Sequence, residues 1–235
     1  MMDLGRGRGF WGRPAGRAGR GVQARPKSCA RAPNPSFSAV VPDREDLSGW
    51  LKPNQAAVGL SAGAEVVIHT LRQWWSRNKG DRRKVVLKRD RKNAFNEAEP
   101  SKFLEAGRRR MPGSAKFAEW CYGAPVNLIY HGRLWKEACS KGQQGCPLMG
   151  PLYCAMAKEM GEQLHGASRV DMIVEYADDG AYAGDVDDVL TVLRSELQLG
   201  PSYGSQLNIS RDKTVLYLLA GDDFEGDVSG FEELG

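Results

Sequence analysis

Residues 170–184 read VDMIVEYADDGAYAG. Apolar residues run up to Tyr176 and resume after Gly180, with a short polar break between them, which predicts strand, tight turn, strand. The break is Tyr176-Ala177-Asp178-Asp179-Gly180. Asp-Gly is a favoured hairpin turn, so the composition has a plain structural reading. A plain turn does not require two adjacent acids between well-formed strands. With a third acid nearby, two unit charges ~4 Å apart repel by on the order of 4 kcal/mol at an effective dielectric of ~20. A bound divalent cation turns that repulsion into a site, and magnesium takes one or two carboxylates together with phosphate and water oxygens.

The natural third acid is Asp90. KVVLKRD (84–90) is a β-branched run flanked by charge, hence a strand that stops at Asp90. In an antiparallel layer this strand can lie beside the 170–184 hairpin. The carboxylates of Asp90 and Asp178 would then share one sheet edge. Such a pair serves two-metal phosphoryl transfer, with ions ~3.5–4 Å apart holding the attacking and leaving oxygens.

The flanking chain supplies the layers. GAEVVIHTLRQWWSR (63–77) places Val67, Ile68, Leu71, Trp74 and Trp75 at helical spacing, with His69 read as a packing or surface residue. Pro100 opens a helix to about Arg110, whose Arg108, Arg109 and Arg110 read as a solvated end. Pro147 begins a helix over 147–160 with Leu148, Leu152, Met156 and Met160 on one stripe, and a loop is expected between the two helices. Asp185 is expected to cap a helix stopped by Gly200-Pro201, and 214–220 is strand-like. The order from Lys84 gives an α+β fold, an antiparallel sheet with helices packed on one face.

Composition sets outer bounds. Hydrophobic residues at 41% and charged residues at 26% support a packed core. No apolar run approaches the ~18 residues a bilayer demands, so no membrane partner is expected. The N-terminus lacks an apolar h-region, and the five cysteines contain no CxxC pair, so the expected setting is intracellular, not secreted. Charge is unevenly spread: residues 1–41 carry eight basic residues and one acid, and 221–235 carry six acids and no base. The 1–41 tail is Arg/Gly-rich and is expected to be disordered, since it has no apolar surface to offset chain entropy. It reads as an RNA-binding arm, a transit peptide or a solvated tail. Residues 42–59 are expected to be a linker, 60–220 the folded domain and 221–235 an acidic end.

Four stretches in order resemble the motifs of the reverse transcriptase domain of non-LTR, group-II-intron-like retrotransposons. They are LKRDRKNAFN (87–96), KGQQGCPLMGPLYCAM (141–156), YADDG (176–180) and GPSYGSQLNISRDKTVLY (200–217). The likeness is collinear from about Leu60 to Leu219. It implies a polymerase-type palm with a truncated fingers region and no thumb, the acidic end opening a primer-grip hairpin. It also implies RNA-directed DNA polymerase activity on an RNA template, a DNA primer and dNTP. Two magnesium ions, or manganese, would be held by Asp90, Asp178 and Asp179. Arg91, the backbone of Asn93 and Ala94, and the steric-gate ring of Phe95 would meet the nucleotide, with Gln144 and Gly145 close by. Tyr176 would sit near the primer end.

The pattern is not followed everywhere. Arg89 and Arg91 stand where the family has apolar residues, and a buried unpaired guanidinium is costly. Arg89 must therefore reach solvent, pair with an acid or weaken its strand. Cys146 stands where an Asp is usual. Arg211 occupies the position of a lysine that would protonate leaving pyrophosphate, which Arg can hardly do; either Lys213 takes that role through a two-residue insertion or the role is lost. The competing readings are a decayed, inactive fragment retaining at most nonspecific RNA binding, and another palm enzyme such as a nucleotide cyclase. A cyclase has no use for the template-facing motifs.

Overall fold

The computed structural model describes residues 3–5, 44–130, 133–138, 141–210 and 212–234. In chain order the elements are β1 (Asp3–Gly5), α1 (Arg44–Leu51), α2 (Gly63–Arg77), β2 (Lys84–Arg89), α3 (Ala94–Glu97), α4 (Pro100–Arg110), α5 (Pro112–Tyr122), β3 (Val126–Tyr130), β4 (Arg133–Ala138), α6 (Met149–Gly166), β5 (Met172–Tyr176), β6 (Asp179–Asp185), α7 (Val186–Leu199), β7 (Val215–Leu218) and α8 (Ser229–Glu232). The main sheet runs β1-β7-β2-β6-β5, antiparallel except for β1, which joins β7 in parallel at the edge. This is the α+β layering expected from the sequence.

Strand alternation sends the two sheet faces to different partners. Val85, Leu87, Ile173 and Tyr182 enter the larger core, built on α6, whose Leu148, Leu152, Met156 and Met160 stripe is buried as expected. Val86, Val174, Ala181 and Ala183 face the other way. There α2 lays Val67, Leu71, Trp74 and Trp75 against them, so one helix departs from the one-sided layering. His69 is exposed, as read.

Several expectations are corrected. The expected loop after Arg110 holds α5 and the β3–β4 hairpin, because Pro112 starts a helix at its first position instead of breaking one. The arginines at the end of α4 are not simply solvated: Arg108 pairs with Glu119, Arg109 with Glu105 and Glu159, and Arg110 stacks over Trp50 at 4.1 Å. Asp185 caps no amide of α7, since Lys84 holds its carboxylate at 3.0 Å. The expected linker 42–59 contains α1, and Leu47, Leu51 and Gln55 are buried. The described part of the acidic end carries α8, whose Phe231 is buried. Of the expected disordered tail, Asp3–Gly5 form a strand and the remainder lies outside the described residues.

Glycine 180 has a different reason from the one its dipeptide suggests. It lies inside β6 without a left-handed φ; Ala177 takes that role in the turn at 56°. The register sets Gly180 between Glu175 and Arg89. A Cβ there would come within 2.9 Å of the Arg89 guanidinium and 3.0 Å of the Val174 carbonyl oxygen. Gly180 is thus the gap through which Arg89 reaches β5. Gly180→Ala is expected to lower stability by about 1–3 kcal/mol, the usual range for overpacking, in equilibrium urea unfolding. An unchanged midpoint would contradict this role.

Candidate active site

The register of β2, β6 and β5 sorts the residues at one end of the sheet into two rows. Arg89 pairs with Gly180, and Gly180 with Glu175. Tyr176 pairs with Asp179, and one further step along β2 sets Asp90 across from Asp179. The two rows project to opposite faces. One face receives a buried charge cluster and the other receives acids.

The buried row answers the question posed by Arg89 and Arg91. Arg89 is fully buried and pairs with Glu175, with Glu196 of α7 at 3.6 Å. Arg91, two residues on and so on the same face, donates to Glu196 Oε1 at 3.0 Å, Glu175 Oε1 at 3.1 Å and the Tyr153 hydroxyl at 3.3 Å. Tyr182 donates to Glu196 Oε2 at 2.6 Å. Arg91 was expected at the nucleotide, and this is a correction: its guanidinium is 1% exposed and turned into the protein. Arg89 takes the second of its three options, pairing with an acid.

Burial acts to raise the Glu196 pKa, but Arg89, Arg91 and the Tyr182 hydroxyl outweigh it and hold this carboxyl below its ordinary value. A lowered carboxyl contributes stability that is complete above its unfolded pKa and is lost as pH falls through the folded one. Glu196→Gln should therefore cost stability at pH 7, by about 3–5 kcal/mol for a broken buried pair, and flatten the loss of stability below about pH 4.5. Urea unfolding across pH 3–7 measures both effects. Parallel pH profiles for the two proteins would contradict the account.

On the opposite face, Asp90 ends its strand as expected. Asn208 donates its side-chain amide to Asp90 Oδ2 at 3.1 Å and its backbone N–H to the Asp90 carbonyl at 2.8 Å. Lys213 Nζ stands 3.7 Å from the same carboxylate oxygen. The 206–208 segment thus runs antiparallel beside 90–92, with Lys92 N–H bonded to Gln206 at 2.8 Å. Lys213 is the described cation beside Asp90, and Arg211 lies outside the described residues. Asp179 is exposed at the start of β6; partial loss of hydration, then the charges of Asp178 and Asp90, push its carboxyl above the ordinary value, while Lys88 and Lys213 oppose this. Like charges therefore converge here. Among the described residues, no group of three or more His, Cys, Asp and Glu side chains is placed so that it could hold a metal ion.

The remaining candidates lie in adjoining segments. Asn93, at φ 45°, turns the chain into α3, where Ala94 is buried and Phe95 packs on Tyr153 with ring centroids 4.8 Å apart. The 141–146 loop comes to the same place. A Cβ on Gly142 would lie 2.3 Å from the Phe95 carbonyl oxygen, and Lys141 pairs with Glu97 at 2.9 Å. Gln144 and Gly145 are exposed on this loop, Gly145 at φ 89°, and Cys146 packs partly against the core. Tyr176 is 40% exposed at the end of β5. Gln55, bonded to both backbone groups of Ala177, is a residue that no motif or periodicity singles out.

Comparison with known proteins adds the fold. No protein-family model and no curated protein matches the chain. Among solved structures it is similar to apo telomerase from Candida tropicalis truncated from its C-terminal domain, at 16% identity and TM-score 0.52, over 77% of this chain and 41% of that one. It is also similar to telomerase from Candida albicans in complex with a TWJ fragment of telomeric RNA, at 15% identity and TM-score 0.54, over 77% and 34%. The fold is reverse-transcriptase-like. The chain spans about two fifths or less of the length of these telomerases. Among the described residues no helix is long and apolar enough to cross a membrane.

Because Asp179 is held among like charges, Asp179→Asn should relieve repulsion. A rise of a few degrees in the thermal midpoint at neutral pH, together with weaker Mn2+ binding, is the expected result. Calorimetry and metal titration check the pair of effects, and a lowered midpoint would contradict the electrostatic reading.

Proposed function

We propose that this chain is the reverse transcriptase domain of a non-LTR-type retroelement, adding deoxynucleotides to a DNA primer on an RNA template. The observation that supports it best is the meeting of Asp90 with the Asp178-Asp179 hairpin at one sheet end, with Lys213 beside Asp90, in a reverse-transcriptase-like fold. Asp90, Asp178 and Asp179 would hold two magnesium ions, or manganese. When bound, the ions supply activation of the primer 3′-hydroxyl and charge neutralisation on the triphosphate. The 3′-oxygen forms a bond to the α-phosphorus as the bond to pyrophosphate breaks. The hydroxyl proton passes to water, and Lys213 donates a proton to the leaving pyrophosphate. Phe95, backed by Tyr153, serves as the wall beside the ribose, with Asn93, Ala94, Gln144 and Gly145 around the nucleotide and Tyr176 toward the primer end.

A second reading, a non-catalytic fragment that retains RNA binding through its Arg/Gly-rich tail, is favoured by one observation. Asp90 Oδ2 is already engaged by Asn208 and Lys213. The two readings separate in a primer-extension assay on an RNA template with Mg2+ or Mn2+. Extension by the wild type and its loss in a folded Asp178→Ala variant is the expected outcome. Extension that persists in Asp178→Ala would remove the polymerase site. No extension, with salt-sensitive RNA binding that disappears on deleting residues 1–41, would favour the fragment.

A further inference from the structure

Asp178 and Asp179 depend on the shape of the turn that carries them. That turn has Ala177 at φ 56°, a left-handed conformation that a non-glycine residue keeps only where its surroundings impose it. The imposing group is Gln55, 1% exposed and far away in the sequence. Its Oε1 accepts from the Ala177 N–H at 2.9 Å and from the Ala57 N–H at 3.2 Å. Its Nε2 donates to the Ala177 carbonyl at 3.2 Å and to Glu175 Oε2 at 3.4 Å. Two accepted and two donated bonds use the whole capacity of a carboxamide. Exchanging its O and N would set an NH2 group against two N–H donors, so the orientation is determined. The backbone around it is pinned as well: Glu175 N–H donates to the Asn54 carbonyl at 2.6 Å, and Ala56 N–H donates to the Glu175 carbonyl at 2.9 Å. Residues 54–56 thus add a short rung to the outer edge of β5, with Gln55 reaching over the strand end into the turn.

We propose that Gln55 is a positioning residue for the acidic turn, gripping both backbone groups of Ala177 and so setting where Asp178 and Asp179 stand. The part of this that concerns metal binding rests on the polymerase reading of those acids. A buried N–H and C=O in a turn have no strand partner, and a side chain that serves only one leaves the other unsatisfied. A carboxamide at this reach serves both. The same amide touches Glu175, so the turn is coupled to the buried charge cluster beneath it.

Hydrogen exchange in the wild type gives a test independent of any variant. The Ala177 amide is expected to exchange as slowly as the amides of Val174 and Tyr182, which lie within the β5-β6-β2 ladder, and rapid exchange would overturn the proposal. Gln55→Met keeps the volume and removes the grip. In this variant Ala177 exchange should rise at least ~10-fold while Val174 and Tyr182 stay protected, and Mn2+ affinity should fall by ~10–100-fold, the usual effect of losing a supporting partner. A merely structural role moves all three amides together and leaves Mn2+ affinity of the folded protein unchanged; that result overturns the proposal. Absence of Mn2+ binding in the wild type would end the polymerase reading alone, and exchange at Ala177 would then decide the role of Gln55 by itself.

Discussion

Two arginines and two glutamates, shut away from water, govern this structure. Arg89, Arg91, Glu175 and Glu196 balance in charge, and Glu175 Oε1 and Glu196 Oε1 are each shared by both guanidinia. Neutrality alone does not make such a cluster stabilising, because the desolvation of four ions is large and apolar residues of equal volume often do as well. Its effect is on register. Slipping β2 by one residue would turn Arg89 to the other face and away from Glu175 and Glu196. The two buried glutamates would then lose a guanidinium partner, which is far costlier than a misplaced methyl group. The register that brings Arg89 to its acids is also the one that sets Asp90 across from Asp179. Burying charge on one face thereby fixes where charge is exposed on the other.

This helps to explain which features could be read from the chain. The β2 strand, the hairpin and the α6 stripe announce themselves through apolar periodicity, which is local information. Arg89 and Arg91 could be recognised as a problem, since two guanidinia in a palm strand need partners. Their partners could not be recognised. Glu175 and Glu196 look like any acid in an amphipathic segment, and the pairing spans most of the folded body. Gly180 shows the same limit. Its Asp-Gly dipeptide has a sufficient local explanation as a turn, and only the side chain on the neighbouring strand reveals the real one. Arg91 shows the reverse limit: it lies next to a motif without sharing its role, because strand alternation turns it away.

Gln55 and α1 were hidden for a different reason. A Pro, Asn and Ser-rich approach reads as a connector, because those residues favour turns over regular structure. Turn-forming residues describe how a segment travels, not what it touches. Here the segment travels along a sheet edge and buries Leu47, Leu51 and Gln55 as it goes. One carboxamide among polar residues carries no periodic signal, so its hold on Ala177 was open only to coordinates.

The acidic face has a charge balance that constrains its chemistry. Asp90, Asp178 and Asp179 contribute three formal negative charges, and Lys88 and Lys213 contribute two positive ones. Lys213 is half exposed, so its pairing with Asp90 is the kind of surface contact worth at most about 1 kcal/mol. It can leave Asp90 at little cost. A triphosphate brought to this face alone would meet a net negative surface and be repelled, with Lys213 detained by Asp90. On the polymerase reading, a divalent cation shared by the aspartates would reverse both effects: it would make the face attractive to phosphate and compete with the ammonium for Asp90, freeing Lys213. Metal and lysine would then be rivals for one carboxylate.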